Sequence, residues 1–67
     1  DLIAENDFYV YVMELKMDDN GGINAAVNQM KSRHYADIYA ASEKKIISIA
    51  LEFSKESRGL KEWLVVE

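Results

Sequence analysis

Residues 8–17 read FYVYVMELKM, and this run constrains the fold more than any other stretch of the chain. β-Branched and aromatic residues fill both alternating sets of positions, which predicts a strand covered on both faces and therefore central in its sheet. Only Glu14 and Lys16 break the run. They stand at alternate positions, so both side chains leave the face that carries Val10 and Val12. An ionised group buried there costs several kcal/mol unless it is paired or metal-bound. From spacing alone the pair is either a solvated strand-end ion pair or a functional site.

The rest of the chain arranges itself around this strand. Leu2-Ile3-Ala4 followed by Glu5-Asn6-Asp7 reads as a short strand and a turn, an antiparallel hairpin entering the long strand. Asp1 opens directly onto apolar strand sequence, which suggests the remainder of a longer chain. Asp18-Asp19-Asn20-Gly21-Gly22 then ends the strand and offers cap side chains and glycine freedom. Ile23, Ala26, Val27 and Met30 follow at helical spacing and predict a helix over 22–33. A second, shorter helix is expected over 34–41, with Tyr35, Ile38 and Tyr39 on one side. Residues 45–53 alternate as a strand, with Ile47, Ile49, Leu51 and Phe53 on one parity and Ile46, Ser48, Ala50 and Glu52 on the other. Residues 54–59 form a polar loop, and 60–66 return to apolar residues around Trp63 as a last strand. The expected fold is a single α+β domain spanning residues 1–67. Its mixed central sheet contains a hairpin and two further strands, with one main helix and a short second one.

Composition narrows the function classes. The chain has 67 residues and no cysteine, so neither disulfides nor thiolate metal sites can support a small core. A chain of this size buries only roughly 60% of its unfolded surface, so packing against another copy is expected to help. No apolar run approaches the roughly 20 residues needed to span a bilayer. No segment has the pattern of a secretory signal, and the expected compartment is the cytoplasm. The formal charge of −4 disfavours a basic nucleic-acid-binding patch. It does not disfavour a site built from carboxylates that hold a divalent cation.

Few residue sets remain that could carry chemistry. If residues 5–8 make a four-residue loop, Ala4 pairs with Tyr9 and Asp1 with Val12. Asp1 then lies diagonal to Glu14 on one face, and the two carboxylates could share a cation. A register changed by one residue would turn Asp1 to the opposite face. His34 is the single histidine, without cysteine or a serine-centred motif, which argues against a nucleophilic triad. Lys31, Arg33, Lys44 and Lys45 read as solvated charges, and Lys61 as a surface lysine suited to a control substitution.

Asp1-Leu2-Ile3, followed by a strand ending Met13-Glu14-Leu15-Lys16-Met17-Asp18, resembles the D…E-x-K core of PD-(D/E)XK nucleases. The segment Ala25-Ala26-Val27-Asn28-Gln29-Met30-Lys31, with His34-Tyr35-Ala36-Asp37 and Tyr39-Ala40 after it, resembles the helix and Gln…Tyr-Ala element of one branch. Phe53-Ser54-Lys55-Glu56-Ser57-Arg58 and Glu62-Trp63 resemble its closing strands. That branch forms the C-terminal domain of bacterial proteins that begin with an AAA-ATPase-like region. The resemblance implies a truncated restriction-endonuclease-like core from a larger protein, with that region as its neighbour.

It further implies that Asp1 and Glu14 ligate Mg²⁺ or Mn²⁺, and that Lys16 orients the attacking water or offsets phosphate charge. Gln29 and Tyr35 would lie near the site. Hard cations do favour carboxylate oxygens, and phosphoryl transfer does need positive charge. A helix-flank glutamine is nevertheless commonly just solvated, and a tyrosine at a helix end commonly a core ring. The superfamily core begins with a helix and a strand that often supplies a further acidic ligand, whereas this sequence starts at Asp1. Three readings follow. The domain is a metal-dependent phosphodiesterase acting on nucleic acid, an inactive descendant serving as an interaction module, or a structural unit that forms a homo-oligomer through an uncovered sheet face.

Overall fold

A computed structural model describes residues 2–33 and 43–66. The strands are β1 (Leu2–Glu5), β2 (Tyr9–Met17), β3 (Lys45–Phe53) and β4 (Leu60–Val66). A 3-10 turn (Asp18–Asn20) leads from β2 into the helix α1 (Gly22–Arg33). The sheet has the order β1-β2-β3-β4, with β2 and β3 parallel and both outer pairs antiparallel. A parallel pair needs a crossover connection, and α1 lies in it. The expected α+β architecture with a mixed sheet is what the chain adopts. The second helix expected over 34–41 lies outside the described residues.

β2 is interior to the sheet, as its composition requires. Its even positions face α1, where Val10, Val12, Ala26, Met30, Ala50 and Val66 form the core and Ile23, Val27 and Ile46 pack against it. Ala26 and Ala50 are fully buried, so small side chains let the helix approach the sheet closely. The expectation that β2 is covered on both faces is met on one face only among the described residues. Its odd face continues across the sheet through Leu2, Leu15, Trp63 and Val65, all exposed. The double-sided apolar pattern was read correctly, but no described element covers that second face.

The first hairpin is tighter than the sequence suggested. Ala4 pairs with Tyr11 rather than Tyr9, and Glu5 pairs with Val10. The Asn6 Oδ1 accepts the Phe8 and Tyr9 amides at 2.9 and 2.8 Å, while the Asn6 amide donates to the Tyr9 carbonyl at 3.0 Å. This side chain replaces a backbone acceptor and closes the turn over Asp7 and Phe8, shortening the expected four-residue loop. A shift of two residues leaves every side chain on its expected face. At the other end, Ser54 and Arg58 bond across the β3–β4 loop, which begins beside a register shift at Glu52 and Phe53. No helix among the described residues is long and apolar enough to cross a membrane.

Candidate functional site

Glu14 and Lys16 project from the late part of β2 toward α1. Same-face neighbours along a strand are about 6.6 Å apart in backbone position. Glu14 is only 3% exposed, and its Oε2 is sealed from solvent. Its partner position on β3 is Ala50, whose side chain adds little bulk beside the carboxylate. Lys16 is half-buried and forms no ion pair among the described residues. The ion pair that a purely structural account assigns to Lys16 is therefore not made within the described part of the molecule.

A second buried carboxylate shares this face. Glu52 pairs in register with Lys16 and is 7% exposed. Its Oε1 accepts the Ile23 amide at 2.8 Å, and its Oε2 meets the Lys61 ammonium at 3.3 Å. Glu52 thus caps α1 from another strand, placing negative charge at the positive end of the helix dipole. The sequence pointed to Asp18-Asp19-Asn20 for this cap, and the structure uses that loop differently. Asp18 accepts the Lys55 amide at 3.1 Å and lies 3.9 Å from Lys61, while Asp19 pairs with Lys55 at 3.1 Å. These contacts bind the 3-10 turn to the start of the β3–β4 loop.

Gly22 makes the cap possible. Its φ is +59°, and a Cβ there would lie 2.8 Å from Glu52 Oε1 and 2.9 Å from Glu52 Cδ. Only a residue without a side chain accepts both the left-handed backbone and the approaching carboxylate. Lys61, read from sequence as a neutral surface lysine, is instead tied to Glu52 and Asp18 and is unsuitable as a control. The signal for Glu52 was present in the strand pattern, since it is an acidic residue on the parity of Ile46, Ser48 and Ala50. Recognising its neighbours needed the parallel register of β2 and β3.

Of the other predicted site residues, Gln29 is the one that the structure describes. Gln29 is half-buried on α1, and its side chain makes no hydrogen bond among the described residues. The expected reach from Gln29 to Lys16 is therefore not made. Asp1 and Tyr35 lie outside the described residues. Leu2, the first described residue, sits opposite Met13, the residue before Glu14.

The donor chemistry suits a hard divalent cation, because a carboxylate oxygen, Glu14 Oε2, is buried on a rigid strand. Of the two buried carboxylates, Glu52 binds Ile23 and Lys61 through both oxygens, whereas the Oε2 atom of Glu14 is buried without a hydrogen bond among the described residues. Among the described residues no group of three or more histidine, cysteine, aspartate or glutamate side chains is placed to hold a metal. Further ligation would have to come from elsewhere.

The family model of the PD-(D/E)XK nuclease superfamily matches residues 1–63. The chain belongs to this superfamily. No curated protein and no solved structure matches it. The mixed four-stranded sheet with one main helix is consistent with a nuclease-like core. Superfamily members generally use divalent metals, which agrees with the carboxylate at Glu14.

Proposed function

We propose that this domain is a divalent-metal-dependent phosphodiesterase acting on nucleic acid. The observation that carries the reading is the E-x-K pair itself: Glu14 is buried on the helix-facing side of a central strand, with the half-buried Lys16 two positions later and in no ion pair among the described residues. A lysine held in this way has its charge available to an anion.

Asp1 and Glu14 would hold Mg²⁺ or Mn²⁺, which when bound supplies charge neutralisation and an acidified water. The position of Lys16 suits charge stabilisation at a non-bridging phosphate oxygen, where negative charge builds as the diester is attacked. Water forms a new O–P bond, one ester P–O bond breaks, and the leaving alkoxide takes a proton to give an alcohol and a phosphomonoester. Gln29 and Tyr35 are assigned supporting contacts to substrate. The reading extends to the parent protein. The Gln29 and Tyr35 element resembles that of the branch carried behind an AAA-ATPase-like region, which would then be the domain's covalent neighbour.

The test is a cleavage assay on mixed DNA and RNA with Mn²⁺, using the full-length protein. Lys16→Ala is expected to lower cleavage by roughly 10²-fold or more, the scale of a lost transition-state contact. Lys31→Ala, an exposed change on α1, is expected to leave it unchanged. Equal activity of all three proteins would refute the assignment. Absence of cleavage in the folded full-length protein would favour an inactive nuclease fold used for interaction.

A further inference from the structure

Lys16 and Glu52 are opposite charges at paired positions of adjacent parallel strands, on the same face, yet they form no ion pair. Cross-strand neighbours of opposite charge ordinarily attract, and the attraction is strongest where water is excluded. Glu52 is more than nine-tenths buried, so screening by solvent does not explain its indifference to Lys16.

The explanation lies in what else the carboxylate touches. Oε1 is fixed by the Ile23 amide, and Oε2 is taken by Lys61 from the neighbouring strand β4. Asp18 lies on the far side of Lys61 and draws the same ammonium toward the 3-10 turn. Gly22 leaves no gap beside Oε1 and Cδ. Both oxygens of Glu52 thus have partners other than Lys16.

We propose that Lys61 is a positioning residue: by holding the Glu52 carboxylate off Lys16, it keeps the Lys16 ammonium available to a phosphate. The use made of Lys16 rests on the phosphodiesterase reading. The diversion of Glu52 rests on the geometry alone. Lys61 touches no reacting atom and acts only through Glu52. Without its cation, Oε2 would be left with Lys16 at the paired position of β2, and an ion pair between them would withdraw the lysine from substrate.

The experiment compares Lys61→Met, Lys61→Arg and the double variant Glu52→Gln with Lys61→Met, each in the full-length protein. A crystal structure of Lys61→Met is expected to show Glu52 Oε2 within hydrogen-bonding distance of Lys16 Nζ. Turnover is expected to fall roughly tenfold in Lys61→Met and to stay near wild type in Lys61→Arg. The double variant is expected to recover most of the loss, because a glutamine keeps the Ile23 cap but cannot capture an ammonium by charge. A Lys61→Met structure with Glu52 and Lys16 still apart would overturn the proposal, as would a double variant no better than the single one. If the wild-type protein cleaves nothing, the phosphodiesterase reading falls, while the crystal structure still decides the diversion of Glu52.

Discussion

Glu52 shows how one side chain can join three elements, since its carboxylate touches the start of α1 and a lysine of β4 from its own position on β3. Removing it by Glu52→Ala should cost about 2–3 kcal/mol, mostly from the lost charge-assisted cap. Glu52→Gln should cost about 1 kcal/mol, because an amide oxygen can still accept from Ile23. Lys61 is more than half exposed, so its pairing adds below about 1 kcal/mol to stability. Urea unfolding followed by Trp63 fluorescence would separate these cases, and equal losses for the alanine and glutamine variants would contradict the cap. Gly22→Ala should cost roughly 1–3 kcal/mol, from the left-handed backbone and the closeness of Glu52. At this scale the sequence exposed Glu14 and Lys16, because charges interrupting an apolar strand are conspicuous. It did not expose the role of Lys61, because strand parity gives the face of a residue and not its neighbour on the next strand.

The main elements follow from patterns with one strong period. The residues of β2 alternate on a pleat, those of α1 repeat along a helical stripe, and both are built as read. Ala50 lies at the junction of the two, fully buried and paired with Glu14. Ala50→Leu should therefore overpack the space under α1 and cost about 1–3 kcal/mol. A thermal melt unchanged from wild type would show that the helix sits farther from the sheet than described. The first hairpin was harder to read, because its register depends on the Asn6 side chain acting as a turn acceptor. Composition marks Glu5-Asn6-Asp7 as a turn without saying which amides Asn6 will bind. The helix cap was missed for a related reason, since its donor and acceptor are 29 residues apart in sequence.

Across the whole molecule, one sheet face is packed by α1 and the other is an apolar surface that includes Leu2, Leu15, Trp63 and Val65. Trp63 is 59% exposed, and apolar surface of this kind drives association in water. The 67-residue chain on its own should self-associate in sedimentation experiments, and Trp63→Lys should shift it toward monomer. A chain that stays monomeric at all concentrations would argue against this. The molecule as a whole carries a charge of −4, so long-range attraction does not bring a polyanion to it. Binding of nucleic acid would then rest on local chemistry at Glu14 and Lys16, with a divalent cation offsetting the carboxylates. The most direct test is calorimetric titration of Mn²⁺ into the full-length protein and its Glu14→Ala variant. Saturable binding in the wild type that is lost in the variant is the predicted result, and binding absent from both, or equal in both, would contradict a metal-dependent site at Glu14.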